Sequence, residues 1–276
     1  MGLPNFIIIG PGKTATTWLL RCLRKHPQIY MYPKEIRYFS FHYDKGEQWY
    51  RNHFPSQSNF IAIGEKSPSY FSLAPPERIY SLIPDAKLIT ILRNPVERAY
   101  SHYCMHLKTQ KVSEEIDREI VPGTRYVDEG YYFNYLQNYL KYFERDGMKI
   151  MLFEDLARDP EEFLLEIYHF LDVEPSFKPV MADRKYHYRG SRPKHQNLYD
   201  IITKAIGWIS QSGVGHELIE YLQTTRVRGF LWSLVKSDDG FPEMSPEKQD
   251  QLKTLYKYDV MNLSSLLDRD LNHWIS

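Results

Sequence analysis

A lysine behind two glycines and an arginine at the end of an apolar run are the residues of this chain best equipped for chemistry. Gly10-Pro11-Gly12-Lys13-Thr14-Ala15-Thr16-Thr17 separates the β-branched run Phe6-Ile7-Ile8-Ile9 from a segment whose Trp18, Leu19, Cys22 and Leu23 recur on one helical face. A glycine-rich turn lets backbone N–H groups close on an anion, and a helix N-terminus adds about half a positive charge. Lys13 adds a full one. Gly12, Lys13, Thr14, Ala15, Thr16 and Thr17 are the candidate phosphate ligands, with the threonines also read as supplying N-cap oxygens that accept from the first helical N–H groups. A Walker loop has four residues between its glycines, whereas only Pro11 stands between Gly10 and Gly12. Lys13 as an ordinary solvated loop lysine stays open on these residues alone.

A second anion site follows the run Lys87-Leu88-Ile89-Thr90-Ile91-Leu92. Arg93 stands at the strand end and Ser101 two helical turns on, a guanidinium fork and a hydroxyl for a second phosphate. The alternative pairs Arg93 or Arg98 with Glu97 on a solvated helix end. A Walker-type NTPase needs an acid after a neighbouring strand to hold Mg²⁺, and this strand delivers arginine. Two anion sites without a metal acid point to a nucleotide phosphorylated at two separated places. His102 and His106 stand four apart with no third ligand motif, so no metal site is expected.

The elements that must position these residues are short. Strands are expected over 6–9, 60–64, 87–92 and 149–153, alternating with helices within 13–23 and stopped by Pro27, from about 96 and over 160–171. This order implies an α/β, P-loop-like three-layer fold: a central, mostly parallel sheet flanked by helices, in a single domain over 1–276. Ligands in such sheets sit at the carboxyl ends of the strands, where both candidate sites lie. The tail 245–276 reads as a helix burying Leu252, Leu255, Tyr256, Val260, Leu263, Leu266 and Leu267, and 175–200 as a long loop.

Composition narrows the partners. The 276 residues carry 35 Lys+Arg against 35 Asp+Glu. Residues 1–111 hold 15 basic and 7 acidic side chains, an excess of +8, and the remainder is −8. A basic half in a neutral protein suits a small polyanion, whereas a nucleic-acid binder is more often basic throughout. Residues 184–194 form a basic island within the acidic half. Two cysteines cannot make a disulfide framework and favour a reducing, cytoplasmic setting. No stretch reaches the roughly 18–20 apolar residues of a membrane span, and Met1-Gly2-Leu3-Pro4-Asn5 lacks the basic start of a secretory leader.

The loop Gly10–Leu19 resembles the 5′-phosphosulfate loop of sulfotransferases that use 3′-phosphoadenosine 5′-phosphosulfate (PAPS). Arg93-Asn-Pro-Val-Glu-Arg-Ala-Tyr-Ser101 resembles their 3′-phosphate motif. Pro33-Lys34-Glu35-Ile36-Arg37-Tyr38-Phe39 is similar to the segment carrying the catalytic glutamate in the heparan-type and bacterial carbohydrate branch. Gly64-Glu65-Lys66-Ser67-Pro68-Ser69-Tyr70-Phe71 is similar to another signature of that branch, and Phe153-Glu154-Asp155-Leu156 with Asp159-Pro160 fits its later strand–helix unit. The resemblance spans about residues 5–172 and resumes weakly in the tail. It departs at Ala15, where the family loop usually has glycine, a change tolerable if the position is helical. The disulfide-closed region of animal glycosaminoglycan enzymes is missing, which argues against a heparan acceptor.

The resemblance implies PAPS as co-substrate, 3′,5′-ADP as product and no metal. Lys13 would stabilise the departing 5′-phosphate. Glu35 would be the base, with Lys66 orienting it or meeting the sulfuryl oxygens, and His42 is the reserve base because the cytosolic small-molecule branch uses histidine. Arg189, Gly190 and Arg192 would close over the 3′-phosphate; a solvated basic loop is the alternative. Aromatics at 38–43, 49–50 and 131–133 read as core or as walls of an acceptor cleft. The acceptor would be a glycan or small-molecule hydroxyl, as in relatives that sulfate glycans, lipids or polyketide-type alcohols. A P-loop kinase and a non-catalytic nucleotide-binding module are the rival functions.

Overall fold

The computed structural model describes residues 2–56, 59–109, 111–179 and 240–276. The β-branched runs form strands β1 Phe6–Gly10, β2 Ile29–Met31, β3 Ala62–Lys66, β4 Lys87–Leu92 and β5 Met148–Leu152. They make one five-stranded sheet in the order β2-β3-β1-β4-β5, with every neighbouring pair parallel. The expected parallel α/β architecture is therefore present. In β1, Phe6 and Ile8 face a core built from Trp18, Leu19 and Cys22 of the helix Thr16–Leu23 and Phe163, Ile167 and Tyr168 of the helix Pro160–Phe170. The alternate positions Ile7, Ile9, Leu88 and Leu92 are equally buried. Strands covered on both faces need continuous apolar runs, and these have them.

Three details depart from expectation. The strand expected over 60–64 runs two residues later, because Asn5 bonds the Ile63 N–H and Ile61 carbonyl with its side chain and pins that register. Phe60 and Ile61 are left exposed, and Glu65 and Lys66 become the last strand residues. β2 went unanticipated, being three residues long and half buried at its centre. In the tail the helix stops at Leu267, and Leu255 faces solvent at 40% exposure while Leu252, Tyr256, Val260 and Leu263 are buried.

The tail has a definite job. Asp259 accepts the N–H groups of Phe133 (3.0 Å) and Asn134 (3.2 Å), satisfying the first turn of the helix Tyr132–Tyr139 that otherwise has no side-chain cap. Trp274 donates Nε1–H to Glu154 Oε1 at 2.8 Å and packs edge-on against Tyr132, whose hydroxyl holds the carbonyl of Arg93. The C-terminus thus braces the end of β4.

Contacts group the chain into two compact units: Met1–Tyr103, Glu115–His187 and Met244–Ser276 in one, Cys104–Glu114 and Tyr188–Glu243 in the other. The sheet belongs wholly to the first. Among the described residues no helix is long and apolar enough to cross a membrane.

Gly10 shows how tightly the strand ends meet. Its φ is +109°, and a Cβ there would lie 2.5 Å from the Pro68 carbonyl oxygen. Gly10→Ala is expected to cost about 3 kcal/mol, combining backbone strain with overpacking. Urea unfolding measures it, and a loss below about 1 kcal/mol would contradict this packing.

Candidate active site

The loop after β1 turns by two left-handed residues. Lys13 has φ +73° and Ala15 φ +65°. The Thr14 hydroxyl donates to the Pro11 carbonyl at 2.8 Å, so it holds the turn. The helix Thr16–Leu23 then starts at Ala15 without any side-chain cap. The expected threonine capping is absent, and a helix opening of this kind leaves its first-turn N–H groups to be satisfied by water or ligand. Ala15 is also not helical, as its substitution for glycine had required. An alanine held left-handed costs about 1 kcal/mol.

The second candidate site sits beside the first. β4 neighbours β1, with Gly10 opposite Thr90, and the Thr90 hydroxyl donates to the Gly10 carbonyl. Arg93 leaves β4 one residue past its end. Asn94 Oδ1 then accepts the Val96 N–H at 3.0 Å and starts the helix Pro95–Lys108, which carries a half-buried Ser101. Arg93 lies 4.8 Å over the Phe153 ring and bonds Glu97 Oε2 through Nε (3.0 Å) and Nη2 (2.7 Å). Arg98 is a different case. It is fully buried, pairs with Glu129 at 3.2 Å and donates to the Tyr126 carbonyl, so it is scaffold. His102 stands in that cluster, 3.8 Å from Glu129. Arg189, Gly190 and Arg192 lie outside the described residues.

Glu35 and Lys66 come together although 31 positions apart. β2 runs parallel to β3 with Met31 opposite Gly64, and the Tyr32 N–H continues the ladder to the Gly64 carbonyl. The chain beyond β2 therefore passes the end of β3. Lys66 Nζ lies 2.8 Å from Glu35 Oε1 and 3.3 Å from Thr17 Oγ1. Arg37 holds the other carboxylate oxygen through Nε at 2.9 Å and Nη2 at 2.5 Å. Burial pushes the Glu35 carboxyl up, but the Lys66 and Arg37 cations outweigh it and hold it below its ordinary value. Glu35 is thus a carboxylate at neutral pH. Around it opens a cleft of about 520 Å³ lined by Thr17, Leu20, Pro33, Lys34, Glu35, Arg37, His42 and Lys66. Both candidate bases reach this one cleft. The His42 ring leans edge-on against Trp49 at 5.6 Å.

Beneath the cleft lies a carboxylate with no exposure at all. Glu65 accepts from the hydroxyls of Tyr50 (2.8 Å), Tyr70 (2.8 Å) and Ser67 (2.7 Å), and from the Ile36 N–H. Burial still prevails over these donors and pushes its carboxyl up to about 7. Phe39 packs edge-on against both tyrosines, and Tyr38 stacks on Tyr50 at 4.6 Å. This part of the aromatic run is core. Glu65, Ser67 and Arg37 are site residues that sequence reasoning missed. Glu65 and Ser67 flank Lys66 in the Gly64–Phe71 signature, and their hydrogen-bonding types next to a cation were the available signal.

Two expectations follow. Ala15→Gly relieves a left-handed alanine at the cost of some extra freedom in the unfolded chain, so it is expected to raise stability by about 0.5–1 kcal/mol in urea unfolding; a loss would show that Ala15 is not strained. For Glu65, the folded value near 7 lies above the ordinary 4.5. The protonated group's stabilising contribution is complete below pH 4.5 and is lost as pH rises through about 7, a change of about 3 kcal/mol. Asp259, pushed up by burial to about 6, acts in the same direction between about 3.8 and 6. Unfolding measured at pH 5 and 7.5 should show this fall, and Glu65→Gln should flatten it; an unchanged slope in that variant would remove Glu65 as its source.

Known proteins match this chain closely enough to place it. The model of the sulfotransferase domain matches residues 3–197. A mouse bifunctional heparan sulfate N-deacetylase/N-sulfotransferase 4 is 31% identical over 97% of this chain and 30% of its own length. A mouse heparan sulfate glucosamine 3-O-sulfotransferase 6 is 32% identical over 68% of this chain and 57% of its own. The chain thus spans about a third and just over half of these relatives. The crystal structure of a sulfotransferase from Alicyclobacillus acidocaldarius shares the fold over 100% of both chains, with a TM-score of 0.70 at 24% identity. Loop, strand-end arginine and match agree: the chain belongs to the sulfotransferase family.

Proposed function

We propose that this chain transfers the sulfuryl group of PAPS to an acceptor hydroxyl, acting over residues 1–276 as a single catalytic domain. The observation that carries the reading is the position of Lys66, whose ammonium joins Thr17 on the phosphate-loop helix to Glu35 in the cleft. A sulfuryl group held between these two sides would meet an acceptor from the Glu35 side and a leaving phosphate on the Lys13 side. In-line displacement asks for that order.

The step balances with these groups alone. The acceptor O–H gives its proton to Glu35, its oxygen forms a bond to sulfur, and the bridging S–O bond breaks. The electron pair stays on the 5′-phosphate, releasing 3′,5′-ADP. Lys13 at the left-handed turn supports charge on the leaving oxygen, and the uncapped helix start adds N–H donors. Arg93 and Ser101 take the 3′-phosphate, for which Arg93 must exchange its Glu97 partner. Glu35 suits the base because it is ionised and 27% exposed to the cleft. The named relatives act on heparan sulfate, so a glycan hydroxyl is the first acceptor class to test.

The expected results are tight binding of 3′,5′-ADP without magnesium, a fall in kcat of about 100- to 10,000-fold for Glu35→Gln, and about 100- to 1,000-fold for Lys13→Ala. Calorimetry and labelled PAPS turnover across an acceptor panel measure them. ATP binding that requires magnesium would replace this reading with a kinase. Binding of 3′,5′-ADP with transfer to no acceptor would replace it with a binding module. Full turnover by Glu35→Gln would move the base to His42.

A further inference from the structure

The segment that carries Glu35 is held at one backbone point in an unfavourable conformation. Arg37 has φ +57° and ψ +26°, the left-handed region that a residue with a Cβ seldom adopts. Such a residue persists only where its surroundings over-determine it. The same Arg37 grips Glu35 Oε2 with its guanidinium, so the conformation of this residue sets where the carboxylate points.

Hydrogen bonds from the end of β3 over-determine it. The Arg37 N–H donates to Ser67 Oγ at 3.0 Å, and Ser67 Oγ in turn donates to the buried Glu65 Oε2 at 2.7 Å. With its proton committed to Glu65, the hydroxyl can present only lone pairs to Arg37. Glu65 is itself fixed by Tyr50, Tyr70 and the Ile36 N–H, the last from the residue next to Arg37. A second contact, Ser40 Oγ to Ser69 Oγ at 2.9 Å, ties the following helix Tyr38–Phe41 to the same strand exit. Ser67 N–H holds the carbonyl of Ile8 at 3.1 Å, so the anchor is continuous with the sheet.

We infer that Ser67, oriented by Glu65, is a positioning residue that fixes the Arg37 backbone and through it aims Glu35 into the cleft. Neither Ser67 nor Glu65 lines the cleft. The inference rests on Glu35 being the base, as proposed above. Lys66 sets one carboxylate oxygen from the strand; Ser67 sets the other from below, through main chain.

Ser67→Ala removes one hydroxyl and little volume, and Ser67→Thr keeps the hydroxyl. For Ser67→Ala we expect kcat to fall at least tenfold with KM for PAPS and the Kd for 3′,5′-ADP within twofold of the parent. Amide hydrogen exchange at Arg37 should accelerate at least tenfold. Ser67→Thr should recover kcat to within threefold. A general structural role would weaken 3′,5′-ADP binding in step with kcat, and that result overturns the inference, as does an unchanged kcat or an unchanged Arg37 exchange rate in Ser67→Ala. The double variant separates the two readings. If Ser67 acts through Glu35, Ser67→Ala costs less than twofold more in a Glu35→Gln background. Full additivity overturns the role of Ser67 and leaves Glu35 as base, whereas a fully active Glu35→Gln overturns both.

Discussion

One ammonium group ties the phosphate side of this molecule to its acceptor side. Lys66 ends β3, is 6% exposed, and touches Thr17 and Glu35 together. A lysine this buried is seldom stable unless paired, and here the pairing is also the geometry of the site. Lys66, with Arg37, holds the Glu35 carboxyl below its ordinary value against the burial that pushes it up. Because β3 lies between β2 and β1, that single side chain is flanked by the strand feeding Glu35 and the strand feeding the phosphate loop. The sheet order explains why a lysine at this position reaches both.

The close approach of strand ends imposes the local irregularities. Gly10 must fit between Pro68 and Thr90, so only glycine suits it. Three left-handed residues stand where the chain leaves strands, Lys13 and Ala15 after β1 and Arg37 after β2. None of these three is glycine. Strain of about 1 kcal/mol at each is held in place by neighbours, through Thr14 on Pro11 in the loop and Ser67 on Arg37 in the cleft wall. Strained positions of this sort tend to gather at functional sites, and here Arg37 lines the cleft while Lys13 and Ala15 shape the loop before the helix that carries Thr17.

Much of this was legible in the residue order. β4 and the helix Pro160–Phe170 fall where apolar period and the Asp159-Pro160 start place them, because Asp159 caps that helix by accepting from Glu161 and Glu162. Lys13 and Arg93 were legible because a cation just past an apolar run has few structural uses, whereas Glu35 and Lys66 were legible only through the family resemblance, since the short β2 that leads to Glu35 left no apolar signal. The shift of β3 by two residues was not legible: it depends on Asn5, whose side chain bonds across 56 and 58 positions. Nor was the burial of Glu65, since an acid inside a strand looks like a solvated one until its tyrosine partners arrive from elsewhere in the fold. Long-range hydrogen bonds leave no periodic trace.

The charge asymmetry of the chain takes a more exact form in three dimensions. The basic first 111 residues send Lys13, Lys66 and Arg93 to the ends of β1, β3 and β4, three adjacent strands. Yet the site is not a bare positive hole, because Lys66 holds Glu35 and Arg93 holds Glu97. The phosphorylated co-substrate of the proposed function would therefore enter by exchanging partners. The exchange is easy at Arg93, where Glu97 is 58% exposed and an exposed ion pair is worth at most about 1 kcal/mol. It is closed at Arg98, whose pair with Glu129 is fully buried, so that removing either partner strands a charge. Two arginines five residues apart in one motif are thus divided by burial alone into a group able to meet a ligand and a group that holds the helix it stands on.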